Sequence, residues 1–171
     1  MSEHGIVAPS AWVVRWGHLI ARGPVLDVAC GGGRHARFLA GRGLDVVAVD
    51  REPRVFDSPR IRFLQADLEG GRPWPFEGER FGAIVVVNYL HRPLLPRLAG
   101  SLAGGGALIY ETFMAGNERF GRPSNPEFLL RPGELLAAFA PLEARGYEEG
   151  LVEQPKRAVI QRLCAVRGGK G

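Results

Sequence analysis

Asp27, Asp50, Asp67, Asn88 and Glu111 each interrupt or close an apolar run: "VLDVAC", "LDVVAVD", "RIRFLQAD", "FGAIVVVNYL" and "ALIYETF". Carboxylates and amides so placed can accept hydrogen bonds from hydroxyls and amines, and the acids can hold a cation. Gly31, Gly32 and Gly33 follow the first run directly. Gly31 and Gly33 can take φ > 0, so the backbone can turn sharply and pass close to a ligand without a Cβ in the way. A glycine turn that opens a helix often cradles phosphate. "GGGRHA" also fits G-x-G-x-x-G/A, with Asp50 about 20 residues on, where the ribose of a dinucleotide would bind. Charge argues the other way. Asp27 would repel a pyrophosphate in a cleft of low dielectric, whereas it suits a ligand carrying an ammonium and a sulfonium. Asp50 can accept from both hydroxyls of a ribose, and Asp67 from an adenine amine, with Leu68 offering backbone polar groups. A cationic nucleoside fits these acids better than a dinucleotide.

Strands and helices in alternation must position these residues. Residues 24–30 form a run continuous enough for a strand buried on both faces. "GRHARFLAGRG" then reads as a helix closed by Gly41 or Gly43. Further strands are predicted at 44–50, 60–67, 80–90 and 107–113, with room for only a turn or two of helix between the second and third. Pro93 can open a helix that runs through Leu94, Leu95 and Leu98 to a stop at "AGGG". The turn-rich stretch "MAGNERFGRPSNPEFLLRPGE" leads to a helix around Leu135, Leu136 and Phe139, and two closing strands follow. Upstream, the spacing of Trp12, Val13, Trp16, Leu19 and Ile20 predicts a helix capped by Ser10. The pattern implies an α/β protein with a doubly wound, mostly parallel sheet, in one domain over 1–171 with its core at about 10–167. Right-handed crossovers gather the C-terminal strand ends on one rim, which is where the five polar residues fall.

Composition bounds the partners. Apolar residues make up 46% and charged residues 23%, as in ordinary globular chains. The longest aliphatic run, "AIVVV", is far too short for a membrane span. The first residues lack a basic stretch followed by an apolar one, so no export is expected. Cys30 and Cys164 make neither a disulfide framework nor a metal site, which fits a cytoplasmic protein without a metal. The net charge is +4, and of 22 basic residues only Lys156 and Lys170 are lysine. An arginine excess of this kind also follows from a genome rich in G and C. With no basic run in view, a small molecule is the expected partner rather than nucleic acid or a membrane.

"VLDVACGGGRHARFLAGRGLDVVAVDREP", with "FLQADLE" and "FGAIVVVNYL", resembles the class I S-adenosylmethionine-dependent methyltransferases. "NYLHRPLLP" and "LIYETF" before "FGRPSNPEFLLRPGEL" are similar to small bacterial methyltransferases of the tellurite-resistance type. The resemblance implies a Rossmann-like sheet of seven strands, the last antiparallel, with S-adenosyl-L-methionine as cofactor. It implies cofactor contacts from Asp27, Ala29, Gly31, Gly33, Asp50, Arg51, Asp67, Leu68 and Asn88. The chain departs from the family twice: Ala29 stands where glycine is frequent, and Gly82 where an acid is frequent.

Methyl transfer from a sulfonium needs alignment more than acid–base help, so no triad is required. Asn88, His91 and Glu111 are the candidate catalytic groups. His91 could act as a proton acceptor or could equally cap the next helix. Alternation lets only one of Tyr110 and Glu111 face the cleft, and Glu111 is preferred. Tyr89, Arg92, Arg119 and Arg122 are candidate substrate contacts, and the two loop arginines would suit an anion or else anchor the loop. Arg15 could meet the cofactor carboxylate, with Trp12 in the core and a solvated Arg15 as the plainer alternative. The expected activity is transfer to a metabolite or oxyanion. RNA or protein acceptors, or a non-catalytic cofactor-binding role, are the alternatives.

Overall fold

The computed structural model describes residues 7–169. Its strands are β1 (Val25–Val28), β2 (Val46–Asp50), β3 (Ile61–Gln65), β4 (Phe81–Val87), β5 (Leu102–Phe113), β6 (Glu143–Val152) and β7 (Ala158–Val166). They form one sheet in the order β3-β2-β1-β4-β5-β7-β6. β1 to β5 pair in parallel, and β7 runs antiparallel to both its neighbours. The chain works outward from β1 to β3 and then returns to β4 on the other side of β1. That reversal opens a crevice at the C-terminal ends of β1 and β4.

The central strands are runs of Val, Ile, Leu and Ala that tolerate no wet face, so both faces are covered. Leu26, Val28, Val47, Val49, Ile84 and Val86 pack on one face with Phe76, Leu98 and Phe139. Val25, Val46, Ala48, Ala83 and Val85 pack on the other with Trp12, Ala36 and Leu39. The first face is covered by α3 (Leu95–Gly100) and α4 (Glu134–Ala138), the second by α1 (Ala11–Trp16) and α2 (Arg34–Gly41). Ser10 caps α1, its Oγ accepting the Trp12 N–H at 3.2 Å. No helix among the described residues is long and apolar enough to cross a membrane.

Two expectations need correction. The stretch "AGGG" does not stop a helix: α3 ends at Gly100, and β5 begins at Leu102 opposite Phe81, then shifts register before Ala107 meets Ala83. Glycines there let the strand bulge. No helix bridges β2 and β3; residues 51–60 are bends and turns. Phe56 from this segment lies against Gly33, where a Cβ would come within 2.3 Å of the ring.

Gly82 has a structural explanation. A Cβ there would sit 1.9 Å from the Arg22 carbonyl oxygen, while its own N–H donates to the Pro24 carbonyl at 3.0 Å. Main chain cannot yield as a side-chain tip can. Gly82→Ala is therefore expected to cost about 2 kcal/mol through overpacking, read as a lowered urea midpoint at constant slope. An unchanged midpoint would mean that the 22–24 segment shifts freely.

Candidate functional site

After β1 the chain turns through Ala29 (φ 52°), Gly31 (φ 55°) and Gly33 (φ 87°) into α2. Ala29 and Asn88 (φ 58°) are the two non-glycine residues with positive φ among those described. Each such residue costs on the order of 1 kcal/mol, and both stand where β1 and β4 run out beside the crevice. A Cβ on Gly31 would meet nothing within 4 Å, so the turn borders open space. Its peptides are held from the side: Gly31 N–H donates to Asp50 Oδ2 at 2.9 Å, and its carbonyl accepts Arg54 Nε at 2.6 Å.

Asp27 follows Val25 onto the α1–α2 face and is only 2% exposed. Burial pushes its carboxyl up to about 7, against the Ala36 amide and the Arg34 charge, which favour the anion. Its Oδ2 has no hydrogen-bond partner. Asp27 thus lies beneath the turn instead of on the rim, and its charge would act on a ligand through the turn. Cys30 beside it is an inert thiol, pushed up to about 12 by burial.

Three cavities run together along the rim. The first, about 360 Å³, is lined by Ala29, Asp50, Arg51, Asp67, Leu68, Glu69 and Tyr89 among others. The second, about 240 Å³, shares Glu69, Tyr89 and Phe128 with the first, and Asn88 and Phe113 with the third. The third, about 630 Å³, lies between residues 7–11, the segment after β5 and the turn between β6 and β7. In the first cavity Asp50 Oδ1 accepts the Glu52 N–H and Oδ2 the Gly31 N–H, both at 2.9 Å. Each oxygen keeps a lone pair for a further donor. Asp67 lies beyond the end of β3 and uses one oxygen on the Glu69 N–H at 2.9 Å. Three carboxylates against one guanidinium make this cavity acidic.

The structure thus brings six sequence-predicted residues to the first cavity, Asn88 to the joint between cavities, and Glu111 and Arg122 to the third. Tyr110 points the opposite way from Glu111, its buried hydroxyl donating to the Tyr89 carbonyl at 2.8 Å. Glu111 Oε2 accepts Arg162 Nε, and Oε1 accepts the Ser10 hydroxyl at 3.1 Å. Other candidates are drawn elsewhere. Arg92 grips Glu134 with two bonds of 2.7 and 2.9 Å and donates to the Glu127 and Leu129 carbonyls, anchoring the loop instead of facing the cavity. His91 lines none of these cavities; its Nδ1 lies 3.5 Å from Glu69 Oε1. Arg119 donates to its own turn at the Gly116 carbonyl and stacks on Phe120. Arg15 pairs with Glu148 at 3.1 Å on the surface, and Trp12 is core.

Sequence reasoning missed several wall residues. Ser10 appeared only as a cap, yet its N–H also donates to His35 Nε2 at 3.0 Å. Burial and Arg34 lower the His35 ring to about 4, so it is neutral and free to accept. Phe128, Lys156 and Arg162 also reach the cavities. The signal for Lys156 was the Pro-containing turn "EQPKR" between the closing strands. The loop itself is pinned by Asn117, whose Oδ1 accepts the Val159 N–H at 3.0 Å. Among the described residues no group of three or more His, Cys, Asp or Glu could hold a metal ion.

A doubly wound sheet with a glycine turn at its switch point defines a Rossmann-like class of α/β protein. Residues 25–106 match the family profile described as a methyltransferase domain. In sequence and in fold the chain is similar to the class I S-adenosylmethionine-dependent methyltransferases. It is 33% identical over 103 residues to a trans-aconitate 2-methyltransferase of Paracidovorax citrulli, a match covering 54% of this chain and 40% of that one. The chain therefore spans about two fifths of the length of that curated relative. In fold it is similar to TehB from Haemophilus influenzae, with a TM-score of 0.74 at 18% identity over 93% of this chain and 62% of that one. A 1,6-didemethyltoxoflavin-N1-methyltransferase of Burkholderia thailandensis, solved with its substrate and S-adenosylhomocysteine, gives 0.62 at 20% identity, covering 92% and 76%.

Proposed function

We propose that this protein is an enzyme that transfers a methyl group from S-adenosylmethionine to a small-molecule acceptor. The observation that carries this reading is the buried, unpartnered Oδ2 of Asp27 beneath a glycine turn that faces open space. A buried carboxylate without a partner is costly, and a cation above the turn offsets that cost. The acid-lined cavity next to it fits a nucleoside and disfavours a pyrophosphate. When bound, S-adenosylmethionine supplies a methyl on a sulfonium, an electrophile with a good leaving group.

The residues of the chain hold and orient. Gly31 lets the backbone approach the amino-acid end, while Gly33 carries the turn into α2 against Phe56. Asp50 keeps acceptor capacity for the ribose hydroxyls, with Arg51 at the rim, and Asp67 and Leu68 serve the base. Asn88 stands at the joint between the cofactor cavities and the acceptor cavity, held there by its left-handed backbone. Glu111 is fixed by Arg162 and Ser10, so it acts as a rigid wall that orients the acceptor. Rate enhancement then comes mainly from proximity and alignment.

The size of the third cavity, about 630 Å³, suits a metabolite, and the substrates named for the trans-aconitate and toxoflavin relatives agree. The test is transfer from methyl-labelled cofactor to a cell extract separated into small-molecule, RNA and protein fractions. Label is expected in the small-molecule fraction. Label confined to RNA or protein would overturn the acceptor class, and none in any fraction would overturn the activity.

A further inference from the structure

We propose that the acceptor is an organic anion with an apolar body, its charge held by Arg122 and Lys156; this rests on the methyl-transfer reading above. The third cavity is bordered by five cations, Arg34, Arg122, Lys156, Arg157 and Arg162, and by one acid, Glu111. Arg162 is committed to Glu111 and Glu148, and Arg157 to Glu153. Arg34 donates to the Ala8 carbonyl at 3.0 Å, and its charge acts on the Asp27 carboxyl. Arg122 and Lys156 have no carboxylate oxygen within 4 Å among the described residues.

The two free cations come from elements far apart in sequence, the loop after β5 and the turn between β6 and β7. They converge all the same: Lys156 Nζ lies 4.0 Å from where a Cβ of Gly121 would stand, next to Arg122. Like charges gathered at a cavity without an acid between them repel, and an anion bound there removes that repulsion. A forked guanidinium with an adjacent ammonium matches a carboxylate or a phosphate ester.

The remaining wall tells against a bare inorganic oxyanion. Phe113, Phe120, Val152, Ala158 and Ile160 line the same cavity. A small ion would leave that apolar surface wet, whereas an organic body covers it and gains from its burial. Lys156 and Arg122 are thus residues that select the acceptor, independent of the acidic cavity that takes the donor.

The small-molecule fraction of the cell extract is passed over an anion exchanger and a cation exchanger, and methyl-accepting activity is assayed with labelled cofactor. Accepting activity is expected to stay on the anion exchanger and pass through the cation exchanger. Prior treatment with alkaline phosphatase separates the two anion sources: activity that survives belongs to a carboxylate, activity that is lost to a phosphate ester. With the retained fraction, Arg122→Ala and Lys156→Ala should each raise KM about tenfold, with S-adenosylhomocysteine affinity and melting temperature unchanged. Activity that flows through the anion exchanger, or variants with unaltered KM, would overturn the proposal. A wild-type chain that fails to bind S-adenosylhomocysteine would overturn the methyl-transfer reading itself.

Discussion

Asp27→Asn is expected to make stability climb as the pH rises from 4 to 6.5, His35→Gln to make it fall, and the wild-type chain to stay nearly level. His35 accepts the Ser10 N–H at 3.0 Å and is lowered to about 4 from an ordinary 6.5. In that interval the unfolded chain binds a proton that the folded imidazole refuses, so this residue makes stability rise with pH. Asp27 is raised to about 7 from an ordinary 3.8. There the folded carboxyl keeps a proton that the unfolded chain has released, so this residue makes stability fall with pH, through to about 7. Each slope amounts to about 1.4 kcal/mol per pH unit, or about 3 kcal/mol across the interval, and the two oppose. Removing either residue uncovers the other. Urea unfolding of the three proteins at several pH values isolates the pair, since the remaining groups titrate alike in all. Three parallel profiles would contradict the assigned protonation states. At pH 8 Asp27→Asn should also be the more stable protein by about 2 kcal/mol, the relieved charge outweighing a buried amide donor without a partner.

Asp50→Ala should weaken S-adenosylhomocysteine binding about a hundredfold, which is about 2.7 kcal/mol. Two effects combine. The carboxylate loses its bonds to a ribose, charge-assisted contacts of about 1.5 to 3 kcal/mol. The Gly31 N–H, now held at 2.9 Å by Oδ2, also loses the partner that fixes the turn. Asp50→Asn retains an acceptor for that amide without the charge, and should lose only about tenfold. Calorimetric titration reads both, and an Asp50→Ala protein that binds like wild type would remove the basis for placing the cofactor here.

The strand-and-turn frame was legible because its signals are local. Continuous aliphatic runs, a glycine triplet and an acid or amide near each strand end lie within a few residues of one another. The closing pair of strands was legible for the same reason. What escaped depends on contacts between distant segments. Ser10 meets Glu111 across 101 positions and His35 across 25, and nothing near Ser10 in the sequence announces either partner. Arg92 read as a substrate contact because it follows β4. Its true role needs Glu134, 42 residues on, whose carboxylate offers a bidentate partner. Asp27 was placed correctly by strand but not by depth. Alternation decides which face a residue takes, while the helix that closes over it is set by tertiary packing.

The layout of the cavities has a consequence for how preference can change. The donor is gripped by residues drawn almost wholly from β1 through β4, whereas the recess for its counterpart is walled by residues 7–11, 111–122 and 152–162. Arg34 and Asn88 are the residues of the recess that come from the β1–β4 half, and Phe128 is the residue of the first cavity that comes from the loop. Grafting a new loop or hairpin tip onto this scaffold would thus redirect where the methyl lands and leave the grip on its carrier untouched.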